Sequence, residues 1–117
     1  MKSIKAVEEE IINEFEQYPD IESKYTYLFR IGYDLPEMDP SLKNNENLVK
    51  GCQSQLWFYL NMDDGKLSLQ VDSDSMVIKG IGALLVRLVA GRTPEEIKGV
   101  NLDFIDQLNI WKLASNR

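Results

Sequence analysis

The chain has 117 residues, a net charge of −6, one cysteine and no histidine. Its length fits one domain, and its 44% hydrophobic and 27% charged residues are typical of a globular protein rather than a disordered one. A single cysteine excludes an internal disulfide and a multi-cysteine metal site. The absence of histidine removes the commonest base for activating a nucleophile. The acidic balance argues against nucleic acid, because neutralising phosphates requires a basic surface.

The N-terminal part of the chain is predicted to hold two helices followed by a loop. Residues 3–18 carry apolar side chains at helical spacing and end at Pro19. Asp20 is the predicted N-cap of a second helix, which stops before Pro36. Residues 36–47 hold a second proline and three asparagines, so they are predicted as a loop.

The middle of the chain is predicted as a β-hairpin. Residues 55–62 are apolar and aromatic enough for a strand, and residues 66–72 alternate strictly between apolar and polar side chains. Residues 63–65, Asp-Asp-Gly, form the turn between them, since Asp-Gly tolerates the positive φ of hairpin turns. A further short strand is expected at residues 48–50.

The last third of the chain is predicted to be mainly helical. Residues 76–90 are nearly all apolar, follow three candidate N-caps at residues 73–75 and are closed by Gly91. Residues 93–96, Thr-Pro-Glu-Glu, form a capping box with proline at the first helical position. Residues 101–112 continue with apolar side chains in broadly helical spacing.

The order of these elements predicts a single α+β domain over residues 1–117. We expect a small antiparallel sheet of about three strands with helices packed on one face. The apolar run at residues 81–90 is well short of the ~20 residues of a membrane span. Residues 1–10 lack the apolar region of a secretory signal. We therefore expect a cytoplasmic protein with no membrane partner.

The only cysteine, Cys52, lies between the polar loop and the aromatic strand. A lone cysteine is most often a small buried hydrophobic residue. The neighbours of Cys52 are polar or small, however, and Gly51 leaves the backbone free to turn. On the residues alone, a buried structural thiol and a reactive thiol both remain open. The predicted supporting loop consists of Lys50, Gly51, Gln53, Ser54 and Gln55.

Four segments, in order, resemble those of the SufE-type sulfur acceptors, a family that includes CsdE. Residues 49–57, V-K-G-C-Q-S-Q-L-W, resemble the signature G-C-x-S-x-x-W. Residues 24–36 resemble the pattern K-Y-x-x-L…G…L-P, and residues 72–80 resemble D-S-D…V-x-G. Residues 93–97 resemble the start of the following helix. The resemblance covers the chain from about residue 14 to its end.

The resemblance implies a sulfur acceptor with a SufE/IscU-like fold. Cys52 would take sulfane sulfur as a persulfide from a PLP-dependent cysteine desulfurase of SufS or CsdA type, and the protein would stimulate that enzyme. The sulfur would pass to iron–sulfur cluster assembly on a scaffold such as SufBCD. The protein would be an accessory factor rather than an enzyme, without metal or cofactor of its own, since PLP belongs to the partner. A homodimer is left open.

The resemblance also implies roles for several other residues in this chemistry. Thiolate is the reactive species, and without histidine it depends on Lys50, on backbone N–H groups of the loop or on the partner. A persulfide is easily lost to other thiols, so Leu56, Trp57 and Met76 are expected to line a shielding recess or simply to pack in the core. Asp74 is expected as a helix N-cap or a partner contact, and Arg117 as a partner contact.

The sequence departs from the family pattern at its end. Family members usually continue through L-[ST]-P-x-R-x-x-G into a final helix, and we expect this domain to lack that helix because the sequence ends at Arg117. The main alternative function is an adaptor that activates a desulfurase allosterically, with Cys52 dispensable. A cluster scaffold ordinarily needs about three cysteine ligands. A thiol hydrolase or transferase would lack its histidine.

Overall fold

The fold combines four helices with a two-stranded sheet in the part of the chain that the structure describes. The computed structural model describes residues 2–50, 54–108 and 110. The order of helix, helix, hairpin, helix and short helix confirms the predicted α+β class. Within the described residues, no helix is both long enough and apolar enough to cross a bilayer.

Two capped helices, α1 (Ile4–Glu16) and α2 (Ile21–Tyr33), begin the fold as predicted. The Ser3 hydroxyl caps α1. The Asp20 carboxylate caps α2 by accepting a hydrogen bond from the Ser23 amide at 2.8 Å. These caps satisfy amides that have no partner inside a helix, and they fix where each helix begins.

The predicted hairpin is present as β1 (Leu56–Asp63) and β2 (Lys66–Ser73). The two residues between the strands, Asp64 and Gly65, have φ of 53° and 76°, as a type I′ turn requires. The strict alternation of β2 places one row of side chains in the core: Leu67, Leu69 and Val71. This row marks the face of the sheet on which the helices pack.

The sheet has two strands rather than the expected three. Of the segment 48–50, only Leu48 forms a bridge, to Trp57. A turn in which the Asn47 amide donates to the Asn44 carbonyl ends just before Leu48, and Lys50 lies in another turn. Too few residues remain between these two turns to build a ladder.

The long apolar helix α3 (Met76–Val89) crosses α2 at very short range and lies on β2. A Cβ atom added to Gly80 would lie 2.6 Å from the Leu28 carbonyl oxygen, and one added to Gly82 would lie 2.5 Å from a Val71 methyl group. These glycines therefore allow the close packing of α3 against α2 and β2. The crossing fixes where α3 begins, next to the end of β2.

The C-terminal part is helical but shorter than expected. The capping box at Thr93 starts α4 (Pro94–Ile97), and a 3₁₀ segment follows at Asp103–Leu108. Continuous helix over residues 101–112 is therefore wrong for the described residues. Ile110 is fully buried in the core without being helical, and the preceding 3₁₀ segment packs against α1.

Polar contacts tie α1 to the C-terminal half of the fold. Arg87 on α3 donates to the Glu14 carboxylate at 2.6 and 2.8 Å and to Glu10 at 3.2 Å. Arg92, only 3% exposed, donates to the backbone carbonyls of Leu88 and Lys2 at 2.6 and 2.8 Å. The buried guanidinium thus joins the end of α3 to the start of the chain.

Candidate functional site

The candidate site is a loop held by two short stems. We call residues 50–54 the cysteine loop, residues 47–49 the N-terminal stem and residues 55–57 the C-terminal stem. The two stems are hydrogen-bonded to each other and to β1: the Val49 amide donates to the Leu56 carbonyl at 2.8 Å, and the Phe58 amide donates to the Asn47 carbonyl at 2.9 Å. The loop therefore leaves the fold at a closed base.

The C-terminal stem is bound a second time, by the segment that enters α3. The Gln55 amide donates to the Asp74 carboxylate at 3.0 Å, and the Asp74 amide donates to the Gln55 carbonyl at 3.3 Å. The Ser73 hydroxyl donates to the same carbonyl at 2.6 Å. Three hydrogen bonds thus attach the backbone of one loop-flanking residue to the start of α3.

The helix α3 begins directly beside this attachment. Ser75, rather than Asp74, is its N-cap, and its hydroxyl accepts a hydrogen bond from the Ile78 amide at 3.3 Å. The expectation of an N-cap at Asp74 is therefore wrong, because the Asp74 carboxylate is directed to Gln55 instead. A helix N-terminus carries a partial positive charge, so the C-terminal stem lies next to a region that favours anions.

A charged cluster lies beside the stems at the end of β2. The Asp72 carboxylate contacts the Lys43 ammonium at 2.9 Å and the Lys79 ammonium at 3.5 Å. Burial alone would raise the pKa of Asp72, but hydrogen bonds from Lys43 and the Ser73 amide, with the charges of both lysines, lower it below its usual value. Asp72 is thus an anion throughout the neutral range, and it joins α3 to the connection that follows α2.

The predicted site residues fall into two groups. Cys52, Gly51, Gln53 and Arg117 lie outside the described residues, so their predicted roles remain predictions. The three remaining loop residues are described: Lys50 and Gln55 are exposed and Ser54 is half-buried. Gln55 contributes to the site through hydrogen bonds of its backbone amide and carbonyl. A sequence pattern does not reveal such a role.

The expected recess is only partly supported by the described residues. Leu56 and Trp57 are half-buried in the C-terminal stem. Met76 is 52% exposed, so its expected packing in the core is wrong, whereas a recess beneath Cys52 stays a prediction. The first turn of α3 carries Met76 to the surface because the adjacent Val77 takes the core position.

Three residues important to the site were not singled out from the sequence: Ser73, Asp72 and Lys43. The first two belong to the D-S-D segment of the resemblance, which could have indicated them. Lys43 gave no signal, because it lies in a polar loop that has no periodicity. Among the described residues, no group of three or more acidic, cysteine or histidine side chains could hold a metal ion.

Comparison with known proteins identifies the family of this chain. The model of the SufE family, described as an Fe-S metabolism associated domain, matches residues 9–117. The chain belongs to the SufE family. This match includes Cys52, both stems and the D-S-D segment, and it confirms the resemblance found in the sequence.

Several SufE-like proteins share this domain. A SufE-like protein of Synechocystis is 36% identical over 82% of the chain and 60% of its own length. SufE-like protein 1 of Arabidopsis thaliana, chloroplastic/mitochondrial, is 36% identical over 92% of the chain and 29% of its own length. A chloroplastic quinolinate synthase of Nicotiana tabacum is 33% identical over 86% of the chain and 14% of its own length. The chain thus spans between 14% and 60% of the length of these relatives.

A solved structure shares the fold. The solution structure of a protein from Thermus thermophilus superposes with a TM-score of 0.72 at 18% identity, covering 92% of this chain and 78% of that one. This likeness supports the α+β fold of the chain.

Proposed function

We propose that this SufE-family protein is a sulfur acceptor in iron–sulfur metabolism and that Cys52 carries the sulfur. The observation that carries the proposal is the family match across Cys52, together with a loop whose two stems are fixed by hydrogen bonds. A fixed base with a short loop suits a thiol that is presented to the active site of another protein.

The proposed donor is a PLP-dependent cysteine desulfurase of SufS or CsdA type that holds a persulfide on its own cysteine. The Cys52 thiolate attacks the terminal sulfur of this persulfide. The new S–S bond forms on Cys52 while the donor S–S bond breaks, and the donor cysteine leaves as a thiolate. No electrons are gained or lost overall, since one thiolate and one persulfide are exchanged for another such pair.

The reaction requires the thiolate form of Cys52. A thiol with the ordinary pKa of about 8.5 is only a few per cent ionised at neutral pH. A chain extends by at most about 3.6 Å per residue, so a residue three positions from Gln55 stays within ~11 Å of it. The positive end of α3 lies beside Gln55 and helps to stabilise the thiolate, and the docked desulfurase supplies the remaining activation.

Asp74 and Lys50 have separate proposed roles. Asp74 holds the C-terminal stem through the Gln55 amide, and its exposed carboxylate remains available to a partner. Lys50 is exposed at the start of the loop and supports the anionic thiolate or the contact with the donor. The partner contact of Arg117 stays a prediction, and a homodimer stays open.

The proposed role places the protein between a desulfurase and a cluster scaffold. The protein stimulates the desulfurase by removing its persulfide, and it passes the sulfur to a scaffold such as the SufBCD complex. It acts as an accessory protein, and PLP belongs to the partner. The cytoplasmic location predicted from the sequence stays a prediction.

The test is the intact mass of the protein after incubation with an active cysteine desulfurase and cysteine, without reductant. Wild type should gain mass in steps of one sulfur atom, and the Cys52→Ser variant should gain none. Desulfurase turnover is measured in the same samples. An unmodified wild type, or a Cys52→Ser protein that stimulates turnover as fully as wild type, would contradict the proposal and favour the allosteric adaptor.

A further inference from the structure

Lys43 lies in the connection between α2 and β1, at the point where this connection crosses the hairpin. Its ammonium contacts the Asp72 carboxylate at 2.9 Å and lies 4.8 Å from the centre of the Trp57 ring. Trp57 and Asp72 face each other across β1 and β2. One lysine therefore binds both members of a cross-strand pair, by an ion pair and a cation–π contact.

The contacts of Lys43 connect the C-terminal stem to the segment that leads into the N-terminal stem. Trp57 is the last residue of the C-terminal stem, and Asp72 immediately precedes Ser73, which binds that stem at Gln55. Lys43 itself belongs to the segment that leads into the N-terminal stem.

A tight turn transmits the position of Lys43 to the N-terminal stem. The Asn47 side chain donates to the Leu42 carbonyl at 2.9 Å, and the Asn47 amide donates to the Asn44 side chain at 3.1 Å. Asn47 in turn accepts the bond from Phe58 that joins the stem to β1. These bonds connect the residues on both sides of Lys43 to the N-terminal stem.

We propose that Lys43 is a positioning residue of the cysteine loop, which holds the two stems together and thereby sets how readily the loop presents Cys52 to the sulfur donor. This inference rests on the proposed sulfur-acceptor function. Lys43 acts through Trp57 and Asp72, and it need not touch the donor. A preorganised loop raises the rate of a transfer step because it loses less conformational freedom when the reacting groups meet.

The test compares two variants. Lys43→Met keeps the approximate length of the side chain but removes its positive charge, and Lys43→Arg keeps the charge. Lys66→Met is the matched control, because Lys66 lies at the far end of the same hairpin and makes no ion pair with any described residue. Single-turnover sulfur transfer from a preloaded desulfurase is measured at several acceptor concentrations. Hydrogen exchange of individual amides is measured on the same proteins without a donor.

Lys43→Met should lower the limiting transfer rate about fivefold to tenfold, because a half-exposed ion pair and a cation–π contact are lost together. The acceptor concentration that gives half the limiting rate should stay within about a factor of two, because docking is not altered. Lys43→Arg should restore the rate, and Lys66→Met should not change it. The Val49 and Phe58 amides, which join the stems, should exchange about fivefold faster in Lys43→Met.

The Leu67 amide, which donates to the Arg92 carbonyl at the far end of β2, should keep its exchange rate and so report that the variant is folded. A raised half-saturating concentration with an unchanged limiting rate would make Lys43 a docking contact and overturn the proposal. Equal loss of rate in Lys66→Met would overturn it as well. If wild type accepts no sulfur, the proposed function fails, and unchanged exchange at Val49 and Phe58 would separately overturn the role of Lys43.

Discussion

Replacement of Gly80 by alanine tests the close crossing of α2 and α3. The new Cβ would lie 2.6 Å from the Leu28 carbonyl oxygen, whereas ordinary contacts begin near 3.4 Å, so the two backbones must separate by about 0.8 Å. Overpacking of this kind costs about 1–3 kcal/mol, and the better helix propensity of alanine returns up to about 1 kcal/mol. The free energy of unfolding should fall by about 1–2 kcal/mol, which lowers Tm by roughly 5–15 °C in a domain of this size.

Urea unfolding followed by circular dichroism measures this change. Gly82→Ala is the matched control, because its obstacle is a movable methyl group of Val71. Combining it with Val71→Ala should give a smaller loss than the sum of the two single variants, with a coupling of about 1 kcal/mol. Gly80→Ala should be relieved less by Leu28→Ala, because that change removes the side-chain atoms near the new Cβ but leaves the Leu28 carbonyl oxygen in place, 2.6 Å away. A Gly80→Ala protein as stable as wild type would refute the close crossing.

Variants at three further residues test other contacts. Tyr27 donates to the Glu14 carboxylate at 2.5 Å, and burial and this bond raise its pKa to about 12. The protonated form of Tyr27 therefore stabilises the fold by about 1–2 kcal/mol below pH 10, after allowance for its partial exposure. This stabilisation should be lost in wild type as the pH rises towards 12. Tyr27→Phe should show no such loss over the same pH range. Arg92→Met should lower the free energy of unfolding in urea by about 2–3 kcal/mol, because two bonds from a buried charge are lost. Asp74→Ala should speed hydrogen exchange of the Gln55 amide about fivefold, whereas Asp74→Asn, which keeps an acceptor oxygen, should change it less.

Local chemistry made much of the fold predictable from the sequence. Asp20 and Thr93 cap helices with bonds to residues three positions away, so their role is readable in a short window. The turn at Asp64 and Gly65 requires positive φ, which these residue types favour. Alternation along β2 identified its core face because strand side chains have a period of two.

The features that were missed depend on partners distant in the chain. Ser73, Asp74 and Ser75 are all good N-cap types, and Gln55, 19 residues away from Asp74, binds the side chains of the first two. Lys43 reaches Asp72 across 29 positions, which no local pattern records. The third strand predicted at residues 48–50 does not form, because the two turns around it leave too few residues between them. For the site, the resemblance located the cysteine loop, but the bonds that hold its stems came from the structure.

The bond between Arg92 and the Lys2 carbonyl joins residues 90 positions apart, and α1 also packs against the 3₁₀ segment at Asp103–Leu108. During synthesis, α1 is made before both of these partners. At about 5–20 residues per second, its apolar face waits roughly 5–20 s before the chain that covers it has been made. The apolar face of α1 therefore stays uncovered, and open to aggregation, until the C-terminal part of the domain has been made.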